Sequence, residues 1–418
     1  MKIAFPCGHK QVPLVLPAGT EILEPRPMPL LKDPEGSVAA ALRDPIDALP
    51  LADLAMGRKT ACVVVSDITR PVPNRVILPP LFRTLESAGI ERNRITILIA
   101  TGTHRPNVGE ELASLVGGDI AASYPVVNHD CHRRDAHRRI GDLEGAPVEI
   151  NSAYLDADLK ILTGLIEPHP YAGYSGGAKS ILPGLSSLET MKFMHSFKMI
   201  SHPKVANCIQ DGNPFYEATM EVARLAGVDF IVNALINKQK EPVGFFVGGL
   251  RGAHLAGCRR VEETSVIRMK KPADLVITSG GGAPMDATFY QCGKGVLGAK
   301  AICRPGGTVI LICGCAQGVG SETYAQLVGA CGGLEDFACR YADPRNFVMD
   351  QWAAQSYFQA LGRIGRVLVY SPGLTAEQLK PFGVQKINRL QEEVESLLAE
   401  HPRVAAMPHG PYVVGLTD

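Results

Sequence analysis

A single lysine lies in a segment rich in glycine and proline near the middle of the chain. The stretch "IEPHPYAGYSGGAKSILPG", residues 166–184, contains Lys179 together with His169 and four glycines. Residues 173–180 match the phosphate-binding pattern G-x-x-x-x-G-K-[ST] at all but one position. Pro183 follows four residues after the lysine and would stop the helix that a phosphate-binding lysine opens. A nucleotide-dependent enzyme is therefore the weaker interpretation, and the lysine is expected to have another chemical task.

The segment "SDITRPVPNR" places three reactive side chains within one turn, directly after an apolar run. These are the carboxylate of Asp67, the hydroxyl of Thr69 and the guanidinium of Arg70. The planar guanidinium can bind both oxygens of a substrate carboxylate. An Asp–Arg pair that merely closes the loop is the alternative when this motif is taken alone.

Two histidines follow apolar runs in the same way. His104 lies in "TGTHRPN", where Asn107 and Glu110 have the spacing of a capping box that opens a helix. His169 is held between two prolines. Either histidine alone could simply bond a backbone carbonyl, but two on separate loops favour acid–base chemistry.

His195 follows Lys179 by sixteen residues. The pattern predicts a helix over residues 188–200, begun by a capping box at Ser186 and Glu189. On that helix His195 shares a face with apolar residues, which is typical of a buried core histidine. The same rigid placement would also suit a metal ligand.

Two further groups could bind metal. The run "NHDCHRRDAHRR", residues 128–139, contains three histidines and could suggest zinc, although its basic composition is more typical of a solvated face. Cys313 and Cys315 form a C-x-C pair, but no second cysteine or histidine pair lies nearby in sequence. Buried, reduced thiols are the favoured interpretation of that pair.

The pattern of apolar segments predicts an α/β protein. Short β-branched runs, apolar on both alternations, are typical of parallel strands covered on both faces. They occupy residues 62–65, 95–100, 159–166, 230–236, 275–278, 308–313 and 366–370. A charged helical stretch over 254–271 ends at Pro272 and suggests a domain boundary near there.

We therefore expect two α/β domains with largely parallel sheets, over residues 1–265 and 266–418. Ligands of open α/β sheets bind beyond the carboxyl ends of the strands. The loops described above are thus expected to converge, forming an active site in an interdomain cleft. Near the C-terminus, residues 387–401 predict a surface helix, and 410–416 predict a short strand that could pair with either domain.

Composition excludes several classes of partner. The chain has 42 basic and 42 acidic residues, which argues against nucleic acid and anionic membranes as partners. The start of the chain lacks the apolar run of a signal peptide, and no later run is long enough to span a bilayer. A cytoplasmic protein with a small-molecule ligand is expected.

Taken together, the motifs closely resemble the nickel-dependent lactate racemase family. The resemblance is carried by "SDITRPVPNR", "ATGTHRPN", "EPHPYAGYSGGAKS", "YQCGKG" and the histidine that follows the lysine. It implies a nickel-pincer nucleotide, a pyridinium mononucleotide with two sulfur-bearing arms, attached covalently to Lys179. Nickel would be bound by two sulfurs, a pyridinium carbon and His195. Maturation would require cofactor biosynthesis proteins.

The resemblance also implies the roles of the remaining residues. His104 and His169 correspond to the two acid–base residues. The substrate contacts would be Arg70, Lys294 and Trp352. The cofactor contacts would be Asp67, Thr69, Lys179, Tyr290, Gln291 and Lys294.

The implied reaction inverts a 2-hydroxy acid by reversible hydride transfer through a 2-keto acid. The chain departs from lactate-acting members at Pro170, Tyr171 and Ala178, so malate, aromatic hydroxy acids and sugar acids are alternatives to lactate. A non-catalytic carrier or storage protein for the nickel-pincer nucleotide is the alternative from another functional class.

Overall fold

The computed structural model describes residues 1–417 of the chain. Within them the strands are β1 (Lys2–Cys7), β2 (Lys10–Val15), β3 (Glu21–Ile22), β4 (Ala61–Ser66), β5 (Ile95–Ala100), β6 (Val126–Asn128), β7 (His137–Leu143), β8 (Ala146–Asn151), β9 (Leu159–Leu165), β10 (Pro168–His169), β11 (Gly173–Tyr174), β12 (Phe230–Ile236), β13 (Pro242–Gly248), β14 (Val266–Met269), β15 (Ala273–Ser279), β16 (Cys303–Ile312), β17 (Arg366–Tyr370), β18 (Gln385–Lys386), β19 (Val404–Met407) and β20 (Val414–Thr417).

The α-helices of the same residues are α1 (Pro34–Arg43), α2 (Leu51–Ala55), α3 (Asn74–Ser87), α4 (Glu110–Val116), α5 (Gly118–Ser123), α6 (Ser152–Leu155), α7 (Leu188–Met194), α8 (Phe197–Ser201), α9 (Pro214–Ala226), α10 (Leu250–Ser265), α11 (Phe289–Ile302), α12 (Glu322–Gly329), α13 (Leu334–Tyr341), α14 (Gln351–Leu361), α15 (Ala376–Leu379) and α16 (Leu390–Leu398). None of the helices in residues 1–417 combines the length and the apolar character that crossing a bilayer demands.

The chain divides into two compact units. The unit that contains Lys179, here called the lysine unit, comprises residues 27–194 and 202–263. The unit that contains Cys313 and Cys315, here called the thiol unit, comprises residues 1–26, 195–201 and 264–417. The sequence predicts a single boundary at residue 265. Residues 1–26 and 195–201, which precede that boundary, belong to the thiol unit. The chain therefore passes between the units four times, after residues 26, 194, 201 and 263.

A six-stranded sheet forms the centre of the lysine unit, in the order β13-β12-β9-β4-β5-β6. Every neighbouring pair is parallel except β12 with β13. Strand β4 is buried from Ala61 to Val65, since helices cover both faces of a parallel sheet. This arrangement brings the carboxyl ends of β9, β4 and β5 to one edge.

A second six-stranded sheet forms the centre of the thiol unit, in the order β18-β17-β16-β15-β19-β3. All of its neighbouring pairs are parallel. The antiparallel pair β1–β2 packs on one face, where Phe5 and Leu14 join the core formed with Ile277 and Ile310. The fold class predicted from the apolar runs is confirmed.

The seven predicted strands are confirmed, with small shifts at their ends. The predicted C-terminal surface helix corresponds to α16. The strand predicted over residues 410–416 is wrong in its first part, because Gly410–Tyr412 form a 3-10 helix; its second part lies in β20, which pairs in parallel with β14 in the thiol unit. The helix predicted to continue to residue 271 is wrong at its end, because α10 stops at Ser265 and the β-branched residues that follow form β14.

Candidate active site

Three loops of the lysine unit converge at one edge of its sheet, as the sequence predicts. They follow β4, β5 and β9, which are neighbours in the sheet. The amide of Ile68 donates to Oδ1 of Asn107 at 3.1 Å, and the amide of Gly102 donates to the carbonyl of Gly184 at 3.1 Å. These bonds hold the loops against one another, so the side chains that the loops carry are fixed by the sheet.

His104 is oriented by Asp67. Its Nδ1 lies 2.6 Å from Oδ2 of the carboxylate, and Thr69 donates its hydroxyl proton to Oδ1 at 2.6 Å. The side chain of Asp67 is 6% exposed, whereas that of His104 is 58% exposed. The buried carboxylate of Asp67 thus bonds one nitrogen of the His104 ring, and the rest of that ring is exposed to solvent.

The ionisation of Asp67 determines the tautomer of His104. Burial raises the pKa of Asp67, but hydrogen bonds with His104 and Thr69 outweigh burial, and the pKa lies below its ordinary value. An ionised carboxylate can only accept, so Nδ1 of His104 must carry the proton. In the neutral ring Nε2 is therefore the basic nitrogen.

His169 has the opposite arrangement. Its Nδ1 accepts the backbone N–H groups of Tyr171 and Ala172, both at 3.2 Å. Because a backbone amide can only donate, Nδ1 of the neutral ring is unprotonated and Nε2 carries the proton. The ring also contacts Tyr171 edge to face, with centroids 5.6 Å apart. The two histidines predicted for acid–base work are thus held in opposite tautomers.

Arg70 forms an ion pair with Glu167. Nη1 of the arginine lies 2.8 Å from Oε1 of the carboxylate, and both side chains are about one-third exposed or less. Glu167 lies two residues before His169, so this pair ties the loop after β4 to the loop that carries His169. The sequence interpretation did not assign Glu167 a role, because it lies 97 residues from Arg70 along the chain.

Lys179 lies in a short 3-10 helix, Gly177–Ser180, as expected from the proline that follows. Gly176 and Gly177 have positive φ angles of 78° and 53°, a conformation that favours glycine. The amide of Gly177 donates to Oδ1 of the buried Asn233 at 3.0 Å. The lysine is thus held by backbone geometry, not by a long helix.

His254 packs against the loop that carries Lys179. It is buried, and its Nε2 lies 2.9 Å from the carbonyl oxygen of Ser175. A Cβ atom added at Gly177 would lie 2.9 Å from the His254 ring. Burial lowers the pKa of His254, which keeps the ring neutral as a donor. Sequence reasoning missed both Asn233 and His254, because each is distant from the loop along the chain.

His195 lies in the thiol unit, beside Trp352. The two ring centroids are 4.7 Å apart. The segment that follows is attached to α14 by Gln355, whose Nε2 donates to the carbonyl of Phe197 at 3.0 Å and to Oγ of Ser201 at 2.8 Å. Since Trp352 lies in the first turn of α14, this attachment brings the indole to the imidazole.

The continuous helix predicted over residues 188–200 is wrong. Helix α7 ends at Met194 and α8 begins at Phe197, so His195 lies at the break, where the chain passes from one unit to the other. The predicted cap is also wrong, since the amide of Thr190 donates to Oγ of Ser187. An imidazole at a helix break is positioned by its neighbours in the thiol unit and not by an uninterrupted helix.

The remaining predicted contacts lie on α11 of the thiol unit. Tyr290 donates its hydroxyl proton to Oδ1 of Asp350 at 3.0 Å. Gln291 occupies the first turn, where its amide donates to Oγ1 of Thr288. Nζ of Lys294 lies 3.9 Å from Sδ of Met285. Asp350, which also accepts from Ser321, is a further polar residue that the sequence pattern did not reveal.

Two other sequence predictions are corrected. Asn107 does not open a helix, because α4 begins at Glu110 after Gly109; instead its side chain joins the neighbouring loops. In the histidine run, His129 is buried and not solvated, and its Nε2 lies 3.1 Å from the carbonyl of Ser186. Within residues 1–417, none of the three histidines belongs to a group of three close metal-ligand atoms.

Comparisons with known proteins agree with this architecture. The family model "Lactate racemase N-terminal domain" matches residues 7–207, and "Lactate racemase C-terminal domain" matches residues 268–414. The lactate racemase of Thermoanaerobacterium thermosaccharolyticum is 33% identical over 386 residues, covering 91% of this chain and 90% of that protein. The lactate racemase of Lactiplantibacillus plantarum is 33% identical over 383 residues, covering 90% and 89%.

Solved structures give the same result. The apoprotein of the T. thermosaccharolyticum lactate racemase superposes with a TM-score of 0.92 at 31% identity, covering 99% of this chain and all of that one. A Thermotoga maritima protein, at 18% identity, shares the fold with a TM-score of 0.69, over 93% of this chain and all of that one. The two domain models define a two-domain α/β protein of racemase architecture. This chain belongs to the lactate racemase family, which confirms the resemblance found in its motifs.

Proposed function

We propose that this chain is a racemase or epimerase of 2-hydroxy acids that uses a nickel-pincer nucleotide attached to Lys179. Family membership supports a racemase that acts on hydroxy acids. The observation that carries the proposal is the pair His104 and His169, held in opposite tautomers on loops at one edge of the same sheet. Inversion of a stereocentre requires a proton acceptor for either enantiomer, which this pair can supply.

The two histidines divide the proton transfer. His104, with its basic Nε2 and its Nδ1 bonded to Asp67, takes the hydroxyl proton of one enantiomer. His169 acts in this direction as the imidazolium, so that donating one proton to the oxygen of the other enantiomer leaves a neutral ring. After one turnover the charges are exchanged, and the buried carboxylate of Asp67 stabilises the imidazolium that forms on His104. A positioned acid or base of this kind contributes about 10²–10⁴-fold in rate.

Arg70 and Lys294 are proposed to bind the substrate carboxylate. Each hydrogen bond to a charged group contributes about 1.5–3 kcal/mol. Arg70 is bonded to Glu167, so a substrate carboxylate would compete with or join that ion pair.

The residues fit the proposed cofactor in their chemistry. Lys179 offers a primary amine on a loop fixed by Asn233 and His254, and His195 offers an imidazole, a ligand that suits nickel. Lys179 would hold the nucleotide and His195 the metal. When bound, the group would supply an electrophilic centre suited to reversible hydride transfer at Cα. That the residues of the two units form one site in an interdomain cleft stays a prediction.

The first test concerns the attachment. Protein made in a host that also synthesises the cofactor should show a mass increase on the peptide that contains Lys179, and about one nickel per chain. Lys179→Arg is the matched control, because it keeps the positive charge but cannot form the amide-type bond. An unmodified Lys179 peptide from active enzyme would refute the attachment.

The second test concerns the reaction. A panel of 2-hydroxy acids, including lactate and malate, should reveal inversion in heavy water without deuterium at Cα, because hydride return leaves that position unlabelled. Deuterium incorporation at Cα would indicate proton abstraction and contradict the hydride route. A carrier protein would retain the cofactor and invert no member of the panel.

A further inference from the structure

Three buried thiols of the thiol unit lie in contact with one another. Sγ of Cys315 is 3.7 Å from Sγ of Cys292 and 3.5 Å from Sγ of Cys313. All three sulfurs lie within 4.8 Å of each other, and all three residues are 0% exposed. Within residues 1–417, this is the group of three metal-ligating side chains that the fold brings together. We call it the thiol cluster.

The backbone after β16 is folded so that these sulfurs meet. In an extended strand, residues two apart would be separated by about 6.6 Å. Cys315 instead has a φ of 50°, a left-handed conformation that costs a residue with a Cβ about 1–2 kcal/mol. The turn is held by Asp286, whose Oδ2 accepts the amide of Gly314 at 2.7 Å and whose carbonyl accepts that of Cys315 at 2.8 Å.

Cys292 reaches the pair from the first turns of α11. An added Cβ at Gly280, the residue after β15, would lie 2.7 Å from Sγ of Cys292 and 2.8 Å from Cβ of Asp286. Gly280 therefore lets the helix approach the strand ends closely enough for its thiol to join the other two. The C-x-C pair has a third sulfur that was invisible in the sequence, because Cys292 lies more than twenty residues earlier in the chain.

The sulfur spacing matches the edge of a metal–thiolate polyhedron. With metal–sulfur bonds of about 2.3 Å, two sulfurs of a tetrahedral site lie about 3.8 Å apart. The observed separations of 3.5 and 3.7 Å need little adjustment to reach that value. Neutral thiols in van der Waals contact would have similar separations, so the distances alone fit both packing and metal binding.

The adjacent carboxylate favours metal binding over packing. Oδ1 of Asp286 is buried and, within residues 1–417, accepts no hydrogen bond, while Oδ2 accepts only backbone amides, those of Gly8 and Gly314. Buried charge is costly unless another charge or a metal compensates it. Asp286 and Cys292 both flank Gly280, so a cation at the sulfurs would lie close enough to offset the carboxylate.

We propose that Cys292, Cys313 and Cys315 bind one soft d10 metal ion, Cu(I) or Zn²⁺, as thiolates. Thiolate ligands select such ions, and each ligating thiol releases its proton on binding. Nickel is assigned to His195 under the proposed function, so the thiol cluster is a second, separate metal site. It requires neither Lys179 nor the nucleotide.

The test uses the full chain, made without the cofactor biosynthesis proteins and kept reduced and free of oxygen. Cu(I), delivered from a coloured chelator, and Zn²⁺ are added in separate samples. Native mass spectrometry should show one retained ion per chain, with a mass lower than the simple sum by the protons released. Cys313→Ser should weaken binding about 100-fold or more, since even loss of an outer-shell partner costs 10–100-fold.

Cys303→Ser is the matched control. Cys303 is also 0% exposed and lies on β16, but outside the thiol cluster, so this variant should bind like the wild type. His195→Ala should also retain the ion, which separates this site from the proposed nickel site. If Cys313→Ser fails to fold by circular dichroism, Cys292→Ala provides the same comparison. Absence of a retained ion in the wild type, or equal retention by Cys313→Ser or Cys292→Ala, would overturn the proposal.

Discussion

Two histidines follow neighbouring strands of one sheet but differ in exposure and in hydrogen-bond partners. His104 follows β5 and His129 follows β6, and the hydroxyl of Thr101 donates to the carbonyl of His129 at 2.7 Å. His104 is bonded to a carboxylate and largely exposed. His129 is 2% exposed and lies between the carbonyl of Ser186 and the side-chain amide of Asn151.

The difference lies in what each ring is bonded to. The carboxylate of Asp67 accepts the Nδ1 proton of His104, which leaves Nε2 as the basic nitrogen of an exposed ring. Burial lowers the pKa of His129 to about 4, and nearby His137 adds to the effect. His129 therefore stays neutral and acts as a structural donor and acceptor. Position at the edge of the sheet where the loops converge does not by itself give a histidine the environment of an acid or base.

Replacing His104 should have the largest effect. His104→Gln should reduce kcat by about 10²–10⁴-fold, because a positioned base is lost. The free energy of unfolding should change by less than about 0.5 kcal/mol, as for other exposed positions. For a pair of enantiomers, kcat/KM should fall equally in both directions, because the two have the same free energy in solution. Racemase kinetics and urea unfolding measure both quantities, and a loss of activity under tenfold would contradict the assigned role.

Asp67→Asn should have the next largest effect. The amide can donate to Nδ1 of His104 and would then favour the tautomer whose Nε2 is not basic. A loss of about 10²-fold or more in kcat is expected, as for a mispositioned tautomer in a catalytic triad. Thr69→Val, which removes only the hydroxyl bonded to Asp67, should lose less. Equal losses in the two variants would show that the carboxylate does not set the tautomer.

Acid stability should also depend on Asp67. Because its pKa is lowered in the folded state, its contribution to stability is present above the ordinary aspartate value of about 3.9. That contribution is lost as the pH falls through the folded pKa. The difference in unfolding free energy between wild type and Asp67→Asn should therefore shrink below about pH 4. Urea unfolding at a series of pH values measures it, and a constant difference would contradict the shift.

His129 should make stability depend on pH in a higher range. Its folded pKa of about 4 lies below the ordinary value, so the unfolded chain takes up a proton first as the pH falls. Stability is complete above about pH 6.5 and declines toward pH 4, by at most about 1.4 kcal/mol per pH unit. His129→Gln should flatten this decline while leaving kcat within a few-fold. An unchanged pH dependence would show that His129 is not held neutral.

The smallest effect is expected from Glu167→Gln. The Arg70–Glu167 pair is partly exposed, so its loss should change the free energy of unfolding by less than about 1 kcal/mol. The variant releases Arg70 from a competing carboxylate, so KM for a 2-hydroxy acid should fall while kcat changes little. Arg70→Lys should instead raise KM, because the planar fork is lost. A raised KM in Glu167→Gln would show that the glutamate orients the arginine for substrate.

The sequence predicted the parts of the molecule that depend on local patterns. The apolar runs located the strands of both sheets, and the motifs after β4, β5 and β9 located the loops at one sheet edge. Local reasoning failed where a partner distant in sequence decided the outcome. Asn107 resembled a helix cap but bonds the loop after β4, and His129 resembled a solvated residue but is covered by Ser186.

The same limit applies to the thiol cluster and to His195. The spacing of Cys313 and Cys315 could not reveal a third thiol on α11. The periodicity around His195 suggested one helix. The helix is interrupted there because the following segment is hydrogen-bonded to Gln355 of α14. Both features depend on contacts between elements far apart along the chain.

The N-terminal 26 residues have a consequence for how the protein is made. Strand β3 pairs with β19, and the amide of Gly8 donates to Asp286 at 2.8 Å, although residues 27–263 lie between these segments. At a synthesis rate of about 5–20 residues per second, the first strands leave the ribosome roughly ten to fifty seconds before the partners of their unit. Their apolar faces stay uncovered during that interval, which makes this segment a natural target for chaperones that bind nascent chains. A fragment that begins at residue 264 would lack these strands and should be poorly soluble unless residues 1–26 are fused to it.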